Sequence, residues 1–254
     1  MAIGIILAGR RNTAGLAAAA PEVRWEALIP IAGRPMVSYV VDALVAVPDV
    51  TRVIIAGAGP AELVAPDVLV VAPGERVSTS LRHALAAAPN SRVPGEELLV
   101  ATADAPLLTT GALGVLMEAA RERELYLAYP IIRKEVCEAT FPGVRRTYVH
   151  LREGSFTGGN CFYLKAAAVD GALALLERFY AERKRPLRLA GLLGWPLLIE
   201  LVLGRARLVS AEAAGSRLLG FPAGAVPVDD PGMGVDVDGP EDLELCRAFL
   251  SARA

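Results

Sequence analysis

The 254-residue chain is poor in the residues that build metal cages. It has two histidines, His83 and His150, and three cysteines, Cys137, Cys161 and Cys246. No Cys-x-x-Cys pair and no His–Cys spacing occurs, which excludes the usual pattern of a structural zinc site. An odd, scattered set of three thiols fits a reducing compartment. Charge of one sign is also lacking. Lys and Arg number 26 against 28 Asp and Glu, a formal net charge of −2, without the basic excess that duplex-binding domains carry. Long hydrophobic runs are absent: the most apolar window, Leu187 to Leu203, is interrupted by Arg188, Pro196 and Glu200, whereas a bilayer span needs about 20 mostly apolar residues. The first apolar run has no basic segment before it and stops at Gly9-Arg10-Arg11, as a core strand does and a signal peptide does not. With 54% apolar and 21% charged residues, disorder and coiled coil are excluded. The expectation is a soluble cytoplasmic protein with neither nucleic-acid nor membrane partners.

The residues that are present alternate between two periodicities. Ala2–Ala8 is an Ile-rich run ending at glycine, the pattern of a central parallel strand buried on both faces. Pro35 opens a helix with Met36, Val40, Val41 and Leu44 on one face. Strands follow at Arg52–Ala56, Val68–Val71, Leu98–Thr102 and Leu125–Ile132. Between them lie a helix capped at Ser78 and running through Ala87, and one capped at Thr109 or Thr110 and running through Arg121. Such β-α alternation argues for a doubly wound, mainly parallel α/β sheet. From residue 133 the pattern changes. Turn-rich, strand-like pieces at Thr147–Leu151 and Cys161–Leu164 precede helical segments over 165–219, beginning with Lys165–Lys184. A short extended stretch at Ala225–Val228 and a final helix from Gly239-Pro240 close the chain. Residues 1–254 are expected to form one domain with a helical C-terminal lobe.

Few motifs carry chemistry. No Gly-x-x-x-x-Gly-Lys-Ser/Thr is present, and Gly57-Ala-Gly59 has Glu62 where a dinucleotide fingerprint needs a third glycine, so a turn is expected there. Three acids stand out. Asp104 follows an apolar strand, and Asp236 and Asp238 follow another extended stretch; carboxylates at strand ends can hold Mg²⁺ together with phosphate oxygens. The alternative is that Asp104 opens a turn and Asp238 supports the last helix. Gly9 would let backbone approach a ligand at a strand's carboxyl end, or simply end the strand. Thr157-Gly158-Gly159-Asn160 is either a place where substrate meets backbone or a hairpin turn. Gly74-Glu-Arg76 through Thr79 and Ser80 could read a base or phosphate, or cap a helix. Arg145-Arg146 and Arg183-Lys184-Arg185 read as solvated surface, and Cys161 has no histidine partner to make it a nucleophile.

Together, Ile5-Ile-Leu-Ala-Gly9, Ala27-Leu-Ile-Pro-Ile-Ala-Gly-Arg-Pro-Met36, Ala103-Asp-Ala-Pro-Leu107, Thr157-Gly-Gly-Asn160 and Val237-Asp-Gly-Pro-Glu-Asp-Leu243 resemble the nucleotidyltransferases of the glycosyltransferase-A-like fold. That group includes molybdenum cofactor guanylyltransferase, N-acetylglucosamine-phosphate uridylyltransferase and the cytidylyltransferases of methylerythritol phosphate and KDO. The resemblance implies Mg²⁺-dependent transfer of a nucleotidyl group from an NTP to a small phosphorylated or hydroxylated acceptor, with release of pyrophosphate. It divides the chain into a nucleotide-binding half, 1–132, and an acceptor-binding half, 133–254. The Leu7-Ala8-Gly9 backbone would lie under the nucleotide. Asp104 and Asp238 would hold Mg²⁺, with Asp236 as the runner-up, and Gly158, Gly159 and Asn160 would face the acceptor. Gly74, Arg76, Thr79 and Ser80 look like a cytidylyltransferase base-reading segment, which favours a pyrimidine. A homodimer is left open.

The chain departs from the resemblance in the N-terminal loop. Arg10, Arg11 and Asn12 follow Gly9 where the family continues with glycine, and Glu26 stands where it places a phosphate-binding lysine. Either Glu26 points away and an arginine (Arg10, Arg11 or Arg24) takes the lysine's place, or the site binds nucleotide poorly. Two other readings follow: a binding protein that kept the fold and lost the chemistry, and a glycosyltransferase using Asp236-Val-Asp238 as its metal motif.

Overall fold

A computed structural model of the chain describes residues 1–13, 15–60, 66–88, 95–144, 146–182, 191 and 194–252. Glu62, Arg145, the Arg183–Arg185 cluster and part of the 187–203 window lie outside the described residues. Among the described residues, no helix is long and apolar enough to cross a membrane.

The elements are β1 (Ala2–Ala8), α1 (Met36–Val45), β2 (Val50–Gly57), β3 (Val68–Val71), α2 (Val77–Ala87), β4 (Glu97–Thr102), α3 (Thr110–Glu122), β5 (Leu127–Arg133), α4 (Lys134–Thr140), β6 (Val149–Leu151), β7 (Gly154–Gly158), β8 (Cys161–Lys165), α5 (Val169–Glu182), α6 (Trp195–Val202), α7 (Leu208–Leu219), β9 (Ala223–Pro227) and α8 (Pro240–Ser251). The main sheet has the order β3-β2-β1-β4-β8-β5-β7-β6, with β9 on the other edge of β5. The pairs β3–β2, β2–β1, β1–β4 and β5–β9 are parallel. Strand β8 is antiparallel to both β4 and β5, so β5 runs in the same direction as the first four strands. The sheet is mixed and mostly parallel, as the β-α alternation predicts.

Burial on both faces explains the apolar runs. On one face, Ile6, Val53, Ile55, Leu99 and Ala101 pack with α1 and α3. On the other, Ile3, Ile5, Ile54, Leu98 and Val100 pack with α2, α5 and α7. Successive strand residues alternate between these two cores, as a two-residue side-chain period requires. The C-terminal helices thus supply much of the second layer, while α6 and α7 close a small cluster of their own around Leu197, Ala206 and Ala214.

Several boundaries differ from the sequence expectation for physical reasons. The helix before β4 starts at Val77, and its cap is built by Thr79 rather than Ser78: the Thr79 hydroxyl accepts from the Arg76 N–H (2.9 Å) and donates to the Arg76 carbonyl (2.8 Å), while Ser78 is buried. At α3 the cap is Thr109, whose oxygen accepts from Ala112 N–H at 3.2 Å. Lys165 ends a strand instead of opening a helix. The turn-rich stretch after β5 hides α4, held by buried Cys137.

The largest difference concerns Thr157–Asn160. These residues do not reverse the chain. β7 and β8 both run antiparallel along the same edge of β5, pairing Ile131 with Gly158 and Ala128 with Tyr163. They are one strand broken by a kink, held where Gly159 N–H donates to the Pro130 carbonyl (3.0 Å) and Asn160 N–H to that of Met233 (2.9 Å). The hairpin lies earlier, between β6 and β7.

Candidate active site

The site forms where β1 and β4 end side by side. Ala103 N–H donates to the Leu7 carbonyl at 3.1 Å, which sets Asp104 beside Gly9. The segment Val235-Asp236-Val237-Asp238 then crosses this edge in extended form. Val235 and Val237 are fully buried with Leu16, Ile31, Met36 and Leu243, so the period-two alternation turns Asp236 and Asp238 the other way. Val237 N–H donates to the Asp104 carbonyl at 2.9 Å, placing the two aspartates on either side of Asp104. The Asp242 carboxylate accepts from both Asp238 N–H (3.2 Å) and Gly239 N–H (3.0 Å), with Pro240 in the first turn of α8. Asp238 therefore serves the helix start through its backbone and leaves its carboxylate for the site.

The N-terminal loop folds back on itself. Arg11 bridges to Trp25, Glu26 N–H donates to the Arg10 carbonyl (3.1 Å), and the Asn12 amide donates to the carbonyls of Ala20 (2.8 Å) and Val23 (2.9 Å). This hairpin-like closure separates the three candidate arginines. Arg11 and Arg24 lie over the Trp25 ring, at 4.9 and 5.7 Å from its centroid. Arg10 alone of the three reaches the acids. Its terminal nitrogen is 2.6 Å from Asp238 and 3.8 Å from Asp104, and its Nε is 3.0 Å from Glu26.

Glu26 does not point away. It is 4% exposed and faces the same small cavity as Ala8, Arg10 and Asp104. One guanidinium thus stands among three carboxylates, and the satisfaction is incomplete. The Glu26 oxygen nearest Nε has no aligned hydrogen bond, and Asp104 Oδ1 has no partner. Burial pushes both carboxyls above their usual range; the Arg10 charge opposes this at Glu26, and the Asp238 charge reinforces it at Asp104. Asp236, half-buried and near Asp238 and Asp104, is pushed up to about 6, by desolvation first and then by those two charges.

The Gly74–Ser80 segment packs beside Gly9, since a Cβ on Gly9 would come within 2.9 Å of Pro73 and 3.7 Å of the Ser80 hydroxyl. Gly74 is required by the close approach of Thr79, whose Oγ1 would be 2.1 Å from a Cβ there. The Ser80 hydroxyl accepts from Gly74 N–H at 3.0 Å. Both hydroxyls are therefore engaged in shaping the loop, and Glu75, Arg76 and Val77 are the segment's exposed residues.

Beside the acids lies a polar cleft of about 360 Å³, lined among others by Tyr129, Arg146, Thr157, Asn160, Asp236 and Asp238. Gly158 and Gly159 also line it, and both are tight: a Cβ on Gly158 would strike the Tyr129 hydroxyl, and one on Gly159 would lie 2.9 Å from Met233 and Pro130. Two of these residues were not legible as site residues. Arg146, read as surface, has a side chain only 8% exposed and stands 3.9 Å from Asp236. Tyr129 sits in an ordinary strand run, with nothing in its spacing to mark it. Among the described residues no three His, Cys, Asp or Glu side chains converge to cage a metal.

An acid-lined edge at the carboxyl ends of central parallel strands, next to a glycine-ended first strand, lies where open α/β sheets bind their ligands. The chain belongs to the family of MobA-like NTP transferase domains, whose profile matches residues 4–212. It is similar to a hypothetical transferase from Thermus thermophilus, with 41% identity and a TM-score of 0.81 over 95% of this chain and 98% of that one. It also resembles 2-C-methyl-D-erythritol 4-phosphate cytidylyltransferase from the same organism, at 17% identity and TM-score 0.55 over 100% of both chains. A third similar structure is CMP:2-keto-3-deoxy-manno-octonic acid synthetase complexed with CTP, at 17% identity and TM-score 0.61 over 100% of this chain and 99% of that one. At that identity the last two establish a shared fold. No curated protein sequence shows a significant match.

Proposed function

We propose that the protein transfers a nucleotidyl group from an NTP, with a pyrimidine favoured, to a small phosphorylated or hydroxylated acceptor, releasing pyrophosphate. One observation carries this reading: a single Arg10 nitrogen lies within 4 Å of both Asp104 and Asp238 at the edge where β1 and β4 end. Such transfer needs positioning and charge neutralisation more than covalent chemistry.

Asp104 and Asp238 are the residues that would hold Mg²⁺, with Asp236 beside them. The donor set suits the ion: Asp104 Oδ1 is buried without a partner, and Mg²⁺ takes one or two carboxylates while waters and phosphate oxygens complete its octahedron. When bound, Mg²⁺ would neutralise phosphate charge and orient the reacting oxygens. Arg10 supplies the fixed cation that the family's lysine provides elsewhere, and Glu26 positions it by ion pairing at Nε (3.0 Å) while a terminal nitrogen faces Asp238 and Asp104. On this reading Glu26 replaces a direct phosphate contact by an indirect one. The Leu7–Gly9 backbone and the Gly74–Ser80 loop flank the nucleotide, Arg76 reaches the base, and Gly158, Gly159 and Asn160 border the acceptor.

The test is pyrophosphate release from each NTP with a panel of sugar phosphates and polyols, with and without Mg²⁺. Turnover of wild type that is lost in chelator and in Arg10→Ala, but kept in Arg11→Ala, supports the assignment. Wild-type turnover unaffected by Arg10→Ala overturns it. Tight NTP binding without turnover would support a binding protein, and hydrolysis of sugar nucleotides would support a glycosyltransferase.

A further inference from the structure

The cleft beside the acids contains a cation that its neighbours do not satisfy. Arg146 lies on the connection between α4 and β6, and its side chain is more than nine-tenths buried. Its Nε has no hydrogen-bond partner. The nearest carboxylate, Asp236, stands 3.9 Å from a terminal nitrogen, which is within ion-pair range and beyond hydrogen-bond reach. A guanidinium cannot relieve this by losing its proton, because arginine stays charged in proteins. A buried charge left short of partners is destabilising unless something else completes it.

The other walls of the cleft show what that is. Thr147, Thr157, Asn160 and the Tyr129 hydroxyl offer neutral hydrogen-bonding groups, and among the described lining residues Arg146 is the single cation. Asp238, which Arg10 contacts, borders the same cleft. A molecule that fills the space from Arg146 to Asp238 therefore meets the guanidinium, with Asp236 3.9 Å from it, and the neutral hydrogen-bonding groups of the walls before it reaches Asp238. A planar fork of donors suits carboxylate or phosphate oxygens.

We propose that Arg146 binds an anionic group, carboxylate or phosphate, on the acceptor that enters this cleft. The word acceptor rests on the nucleotidyl-transfer reading above; the anion rests on the cleft alone. Arg146 then selects acceptors that carry a negative charge separate from the oxygen that attacks the nucleotide, and neutral polyols of the same size are rejected.

Three small probes separate the possibilities: glycerol 3-phosphate, glycerate and glycerol, titrated into the ¹⁵N-labelled protein while amide shifts at Thr157, Asn160 and Gly234 are followed. The expected result is saturable shifts with one or both anions and none with glycerol. Binding should be at least tenfold weaker in Arg146→Gln and partly retained in Arg146→Lys. The stronger of the two anions identifies phosphate or carboxylate as the natural group. Equal affinity in wild type and Arg146→Gln, an equal response to glycerol, or no response to either anion overturns the proposal. If both variants lose their fold, the comparison of anions with glycerol in wild type decides it. CTP is titrated in parallel and read at Gly9 and Asp104. Failure of wild type to bind CTP speaks against the nucleotidyl-transfer reading, whereas anion binding at Arg146 is scored independently of it.

Discussion

Two charged clusters stand at opposite ends of one strand, and each is built from an arginine and several acceptors. At the amino end of β4, Arg121 Nε donates to both Glu97 oxygens at 3.0 and 3.1 Å, its terminal nitrogen reaches Asp49 at 2.6 Å, and the Tyr163 hydroxyl donates to Glu97 at 2.8 Å. Burial would raise the Glu97 carboxyl, but these donors outweigh it and hold it below its usual range. Seven residues on, roughly 23 Å along the strand at 3.3 Å per residue, Arg10 faces Glu26, Asp104 and Asp238 with poorer geometry. There Asp104 Oδ1 is unpartnered, and the carboxyls of Glu26 and Asp104 are held above their usual range. The first cluster is complete in itself. The second has more negative charge than its one guanidinium neutralises, and it lies at the carboxyl edge, where open α/β sheets bind ligands. An ion pair that satisfies itself stabilises the fold, whereas one left incomplete is available to a cation or to phosphate.

The comparison breaks most sharply at Asp104. Asp104→Asn should reduce turnover by about 10³-fold, the scale of losing one electrostatic contact to developing charge. It should leave the melting temperature unchanged or higher, because the substitution removes one of several crowded like charges. A variant that loses stability in step with activity would make this cluster structural like the other.

Glu97→Ala should do the reverse. It leaves Arg121 and the buried Tyr163 hydroxyl without their shared acceptor. Breaking a buried pair typically costs about 3–5 kcal/mol, and the partial exposure of Arg121 reduces this to about 2–3 kcal/mol. Urea unfolding gives the stability, and residual activity of the folded fraction should match wild type. Loss of activity per folded molecule would mean that the amino end of β4 communicates with the site.

Glu26→Gln sharpens the reading inside the active cluster. The amide keeps shape and removes the charge that holds Arg10. Turnover should fall about tenfold, or about 1.4 kcal/mol, with little change in KM if Arg10 acts on charge that develops during the reaction. A tightening of NTP binding in this variant would instead identify Glu26 as a repulsive charge beside the triphosphate.

Much of this was legible in the chain itself. Two-faced apolar runs marked β1, β2 and β4, and Pro35 and Thr109 marked helix starts, because local preference and tertiary burial agree there. Asp104 and Asp238 stood out as candidates because carboxylates at strand ends can hold Mg²⁺, with a turn and a helix start as the competing uses. Glu26 was legible as a departure, but not as a partner of Arg10. That depends on the loop closing over Trp25 and sending Arg11 and Arg24 elsewhere, a tertiary event with no local spacing. Of the two readings of Thr157–Asn160 the hairpin fails: paired glycines signal a turn, while here they permit the close approach of Tyr129, Met233 and Pro130. Arg146 misled because adjacent arginines usually face water. Its burial depends on α4 and the Asp236 segment, more than 80 residues apart in sequence, meeting at the cleft.

The smallest effect concerns Asp236, which the incomplete cluster raises to about 6, through burial first and then the charges of Asp238 and Asp104. Between its ordinary value near 3.8 and about 6, the native carboxyl holds a proton that the unfolded chain has lost. Native protein then binds more protons than unfolded protein, so stability falls as pH rises across this window. At higher pH the loss is complete, and below the lower limit the group has no effect. Asp236→Asn removes this term. Melting temperatures of wild type and Asp236→Asn, measured in chelator from pH 3.5 to 8, should differ by an amount that grows in favour of the variant between about pH 4 and 6 and is constant above. The slope is the readout, because Arg146 loses its nearest carboxylate in the variant and shifts the absolute level by an amount independent of pH. Glu97, whose lowered carboxyl gives the opposite slope, is present in both proteins and cancels in the difference. A difference that does not change with pH would mean that Asp236 titrates alike in the native and unfolded chains, so that its carboxyl feels no excess of negative charge from Asp238 and Asp104.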